Sequence, residues 1–244
     1  MSSIGRYSRL QTLGRPVITT GEAAIAWDAS LSTAARQLAR LAASGLIVKI
    51  IHGVWQINHE TPDPAVVLPV LTNPYPSYIS GWTALSRHGM IEQIPRGVFA
   101  VSLDRAKVVS TMFGRFEIHH IHPDLFGGFD GATGIRAGVA TAEKALFDIV
   151  YLFSTLNGTV TLPELELPHT FDRGVLRNWT DRVPSTRLRT LATKNLDRLL
   201  ETAESQATPT RTRADVARIR RSPRVSMPQE MTADIDLMRA RRSR

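Results

Sequence analysis

The chain of 244 residues contains no cysteine. That excludes disulfides, thiolate nucleophiles and Cys-ligated zinc. It also lacks any apolar run near the ~18–20 residues that a membrane-spanning helix needs. The richest stretch, residues 145–153, is short and carries Asp148. The N-terminal segment 1–14 has no apolar h-region of a secretory signal. A cytoplasmic protein without membrane association is the expectation. No GxSxG and no HExxH motif is present, and no acidic pair followed by Glu-x-Lys arranges itself as in a nuclease. The expectation is therefore a non-enzyme without cofactor. Acidic residues are missing from one long stretch, everything between Asp28 and Glu60.

Charge is unevenly placed around the net of +8. Residues 1–58 hold six Arg/Lys against two acids, residues 59–204 fourteen against sixteen, and residues 205–244 ten against four. Two basic ends flanking a near-neutral middle point to a polyanionic partner, nucleic acid first.

Within 1–58, Ile4, Tyr7, Leu10 and Leu13 recur at helical spacing. Gly14 stops that helix, and Pro16 opens a short extended piece. Thr20 is read as the N-cap of a second helix over 21–27, with Asp28-Ala29 as the turn. Ser30 then caps a third helix over 31–44. At about 100° per residue, Leu31, Ala35, Leu38 and Ala42 fall on one face, while Thr33, Arg36, Gln37 and Arg40 fall opposite. Thr, Arg and Gln without any acid suit phosphates and base edges better than bulk solvent. After Gly45 come two β-rich runs, 48–51 and 54–57, joined by His52-Gly53, which is read as a type I′ hairpin turn. Helix, turn, helix and hairpin is the outline of a winged helix-turn-helix. Double-stranded DNA is its expected partner. Ser30, Ser32, Thr33, Arg36, Gln37 and Arg40 are the expected contacts from the reading helix, Lys49 and His52 those from the wing, and Trp55 packs inward.

The middle region is expected to be a mixed α/β domain, giving an α+β chain overall. Pro62, Pro64, Pro69, Pro74 and Pro76 predict an irregular linker. A helix is expected over 78–88, and an antiparallel sheet from 98–103, 107–112 and 116–121. A Gly-rich loop over 127–134 lacks the Lys-Ser/Thr of a P-loop. Then come a strand over 135–139 and a Thr141-capped helix over 142–153. Lys144 and Asp148, at i,i+4, are expected to form a surface pair of small value. Helices follow over 172–179 and 185–203. His119, His120 and His122 are read as ordinary strand histidines rather than a metal site, because the spacing supplies no complete ligand set. Residues 205–244, rich in Arg, are expected to be a flexible arm adding phosphate contacts.

Three patches in order carry a family resemblance: Ser44-Gly45-Leu46-Ile47 with His52-Gly53-Val54-Trp55; then Tyr78-Ile79-Ser80, Ala84-Leu85, His88-Gly89-Met90-Ile91, Gln93 and Pro95; then Ala140-Thr141-Ala142-Glu143-Lys144-Ala145-Leu146-Phe147-Asp148. Over about residues 1–200 the chain resembles the AbiEi-type antitoxins of abortive-infection, type IV toxin–antitoxin systems. The resemblance implies a repressor that autoregulates its operon at inverted repeats and whose second domain opposes a nucleotidyltransferase-like toxin. The chain departs from that pattern at the wing tip, where His52 stands in place of an Arg, and in its Arg-rich extension. The rival reading is a stand-alone winged-helix regulator whose C-terminal domain senses a ligand or oligomerises.

Overall fold

The computed structural model describes residues 2–58, 60–156, 158–162 and 164–207. The protein is mixed α+β. The first part runs α1 (Ser3–Gln11), β1 (Val17–Thr19), α2 (Thr20–Trp27), α3 (Leu31–Ala43), β2 (Val48–Ile51) and β3 (Val54–Gln56). Its three strands form an antiparallel sheet in the order β1-β3-β2. α2 is capped one residue earlier than expected. Thr19 accepts from the Glu22 N–H, and the Glu22 carboxylate reaches back to the Thr19 N–H, a reciprocal box that Thr20 cannot make. The His52-Gly53 turn is not type I′, because only Gly53 has positive φ, at +78°. The ladder takes up the difference as an irregularity between Lys49 and Ile51.

The proline-rich stretch is a helix, α4 (Pro64–Thr72), and not the expected linker. Pro64 occupies its first position, where the missing N–H costs nothing, and Asp63 caps it by accepting from the Ala65 N–H at 2.9 Å. Pro69 sits inside the helix and frees the Ala65 carbonyl four residues back. That carbonyl accepts instead from the Ala137 N–H at 2.7 Å, so the defect is repaired by the neighbouring chain.

β4 (Ser77–Ile79) and α5 (Gly81–Arg87) replace the single helix expected over 78–88. The sheet continues with β5 (Gly97–Ser102), β6 (Lys107–Thr111), β7 (Gly114–His120), β8 (Phe129–Asp130) and β9 (Gly138–Ala140). A short 3-10 turn, Pro123–Leu125, follows β7, and β8 lies inside the expected Gly-rich loop. α6 (Ala142–Thr155), α7 (Arg173–Asp181) and α8 (Thr186–Ala207) complete the described chain. The strand order is β6-β7-β5-β4-β9-β8. Contrary to the antiparallel expectation, β5 and β7 are parallel, as are β4 and β9. β5 and β7 carry buried runs on both faces, whereas half-exposed β6 (KVVST) goes to the edge.

Alternate residues of this sheet feed two cores. Tyr78, Phe99 and Val101 face α5, α6, α7 and α8. Ile79, Val98, Ala100, Phe116 and Ile118 face α4, together with Val17, Ile50 and Val54 from the N-terminal part. The expected boundary at residues 58/59 is therefore crossed by a continuous apolar cluster. α8 also runs through Ser205, three residues into the expected flexible arm. The rest of that arm, 208–244, lies outside the described residues.

Candidate nucleic-acid interface and a buried polar centre

Ser30 caps α3, accepting from the Thr33 N–H at 3.2 Å and donating to Thr33 Oγ1 at 3.0 Å. Its hydroxyl also lies 3.1 Å from Ser32 Oγ. Two of the expected contacts, Ser30 and Thr33, are thus occupied in shaping the helix start. The buried stripe of α3 is Ala34, Leu38 and Leu41, not the expected Leu31, Ala35, Leu38 and Ala42. Leu31 is 63% exposed, because the short α2–α3 turn rotates the first helical turn off the core. That rotation carries Gln37 toward α1, where it is half-buried and accepts from Arg6 Nη1 at 3.1 Å. The outward face consists of Ser32, Ala35, Arg36, Ala39 and Arg40. Neither Arg36 nor Arg40 forms an ion pair with a described acid.

The two acids of the module are turned to local tasks. Glu22 completes the α2 cap and pairs with Arg15, and Asp28 ends α2 in the left-handed region at φ +49°. On the hairpin, Trp55 is buried and donates from its indole to Thr20 Oγ1 at 2.9 Å. Lys49 is exposed, its Nζ 5.8 Å from the Trp55 ring centroid, and His52 is exposed at the tip.

A second centre lies in the C-terminal part, and here the sequence expectation is overturned. Lys144 and Asp148 are both fully buried, not a surface pair. Lys144 Nζ donates to Asp148 Oδ1. The other carboxylate oxygen accepts from Tyr78 at 2.9 Å and Ser80 at 2.7 Å. Aromatic rings enclose the ammonium: Trp179 at 4.5 Å, Phe147 at 4.9 Å and Tyr78 at 5.6 Å to their centroids. Gly128, at φ +69°, closes the cage from β8, since a Cβ there would stand 2.6 Å from the Trp179 ring. Burial pushes the Asp148 carboxyl up against the pull of Lys144, Ser80 and Tyr78. It pushes the Lys144 ammonium down, and nearby Arg182 adds to that. Glu143 next door accepts from the Asp172 N–H at 2.9 Å and so ties α6 to the start of α7. The network joins β4, the start of α5, α6 and α7 at one point. Without solvent access it is a structural joint, not a site of chemistry.

The expected strand histidines are separated. His119 turns inward and stacks on Phe99 with centroids 4.2 Å apart. His120 is exposed, with Nδ1 3.0 Å from the Asp104 carbonyl. β7 ends there, so His122 does not share its face; instead it accepts from the Asp124 N–H at 3.3 Å. Among the described residues, no group of three or more His, Asp or Glu could hold a metal ion. Nor is any described helix long and apolar enough to cross a membrane.

No family model and no curated protein matches this chain.

Proposed function

We propose that the N-terminal part is a winged helix-turn-helix that binds double-stranded DNA, with α3 as the reading helix and the β2–β3 hairpin as the wing. One observation carries the reading: the outward face of a firmly capped α3 presents Ser32, Arg36 and Arg40 with no acid along it. Arg36 and Arg40, at i,i+4, are suited to guanine edges or phosphates, and Lys49 and His52 to the flanking backbone. Ser30 and Thr33 act by holding the helix start, and Gln37 stands at the margin of the face.

The chain is further proposed to be a cytoplasmic transcriptional repressor of the antitoxin type, with an operator of inverted repeats and a nucleotidyltransferase-like toxin as its second partner. That part rests on the family resemblance of the three sequence patches. The experiment uses the full chain, because the two parts share a core. DNA selected from a random pool is tested by gel shift with wild type and with R36A/R40A, and both proteins are co-expressed with the gene beside their own. DNA binding lost in the variant with growth rescue retained supports both halves of the reading. Binding that survives R36A/R40A removes α3 from the interface. Absence of rescue by the wild type removes the antitoxin role.

A further inference from the structure

Buried polar side chains are nearly always partnered in folded proteins, so an accumulation of exceptions calls for an explanation. Among the described residues, four buried side-chain polar atoms have no hydrogen-bond partner: Asn58 Oδ1, Trp82 Nε1, Arg115 Nη2 and His119 Nε2. The last three belong to residues gathered around the Phe99 ring. His119 stacks on that ring, and Gly81, which precedes Trp82, lies so close that a Cβ there would stand 2.5 Å from it. Glu117 is the parallel register partner of Phe99, and it accepts from Arg115 Nε at 3.0 Å. Arg115, Glu117 and His119 alternate along β7 and so share one face of the sheet.

The chemistry of the three atoms limits what they can take. An indole N–H and a guanidinium only donate, and a histidine Nε2 can donate. Glu117 engages Nε of the guanidinium and leaves Nη2 for another acceptor. His119 is 7% exposed, whereas the Arg115 side chain is 38% exposed, so Arg115 stands at the mouth and His119 at the floor. We propose that this cluster binds a small oxyanion, a carboxylate or a phosphate, which accepts from Trp82 Nε1, Arg115 Nη2 and His119 Nε2. The covered position of the three atoms restricts the ligand to a few heavy atoms or to the acidic end of a larger molecule. The nearby Glu117 carboxylate disfavours an anion held by charge alone, so directional hydrogen bonds decide binding. The proposal is independent of the DNA-binding reading. It gives the C-terminal part a sensing site without assigning its effect.

The chain has four tryptophans, so its indole N–H resonances are few, and Trp82→Phe assigns the relevant one. The full chain is titrated with sodium phosphate and, separately, with sodium acetate, against sodium chloride at equal ionic strength. The expected result is a saturable shift of the Trp82 indole resonance with phosphate, acetate or both, not reproduced by chloride. A response to one alone identifies the acid class, and a response to both supports the shared oxyanion chemistry. His119→Phe, which keeps the stack on Phe99, and Arg115→Gln should each abolish the shift. No movement with either anion, or the same movement with chloride or in both variants, overturns the proposal.

Discussion

The buried Lys144–Asp148 pair makes the sharpest energetic prediction. Removing one partner of a buried ion pair strands the other and costs about 3–5 kcal/mol, whereas replacing both is often close to neutral. Lys144→Met keeps the side-chain length, and hence packing against Trp179, Phe147 and Tyr78, but leaves Asp148 Oδ1 without its donor. Asp148→Asn keeps an oxygen for Tyr78 and Ser80 but points an amide N–H₂ at the ammonium. Each single variant should lose about 3 kcal/mol or more, moderated because Asp148 can take up a proton and Lys144 can release one. The double variant retains the Tyr78 and Ser80 bonds, has no buried charge and should lie within about 1–2 kcal/mol of wild type. A double-mutant cycle from urea unfolding, followed by circular dichroism at neutral pH, should therefore give a coupling of at least about 3 kcal/mol. Additive losses would show that the two side chains do not stabilise one another, and the account of this centre would fail.

His119 supplies a pH prediction. Burial lowers its pKa from 6.5 to about 4. Between those values the unfolded chain binds a proton that the folded chain does not, so stability falls with pH across that window. The loss is about 3 kcal/mol. His119→Phe should remove this component of the acid sensitivity, and equal slopes in urea titrations of the two proteins between pH 6.5 and 4 would refute it. Pro69→Ala should change stability by less than about 1 kcal/mol, rather than gain the ~3 kcal/mol usual for an interior helix proline, because the Ala65 carbonyl is already satisfied by Ala137. A gain near the full amount in thermal unfolding would contradict that account. On DNA, Arg40→Ala should weaken specific binding by about 1–3 kcal/mol if it reads a base. Gln37→Ala, remote from the outward face, should leave the gel-shift midpoint nearly unchanged, and the reverse order would mean that α3 presents another face. A fragment of residues 1–58 should fold poorly. Uncovering Val17, Ile50 and Val54 costs about 4–6 kcal/mol at ~1.5–2 each, comparable to the whole stability of so short a chain. Cooperative unfolding of that fragment with native-like dispersion of its NMR spectrum would refute the shared core.

Local signals in the sequence were strong where one residue decides the structure. Ser30 and Thr141 were legible as caps because their side chains bond the third residue onward, and they do. The helices over 172–179 and 185–203 followed from apolar periodicity and appear, slightly longer, as α7 and α8. Illegible features depended on distant chain. Nothing near Pro69 announces that Ala137 will satisfy the Ala65 carbonyl, so five prolines suggested a linker. Lys144 and Asp148 have the spacing of any surface pair. The available clue was that Ala145, Leu146, Phe147, Ile149, Val150 and Leu152 cover nearly the whole circumference of α6, which is how a central helix looks. On α3, a face assigned by angle alone was turned enough to move Gln37 from the outside to the α1 side. The helix was right and its rotation was set by a partner.

That dependence on partners bears on how the two parts act. A reading head on a flexible tether would move independently of the sheet, but here β1 and the hairpin strands donate Val17, Ile50 and Val54 to the cluster that also holds Phe116 and Ile118. Those two residues alternate along β7 with Arg115, Glu117 and His119, which face the opposite side of the sheet. A single strand therefore separates the wing's core from the unpartnered donors. Interiors packed this closely transmit small displacements instead of absorbing them. Whatever settles on the far face of β7 is two side-chain layers from the hairpin, and the alternation of a β-strand supplies the only connection it requires.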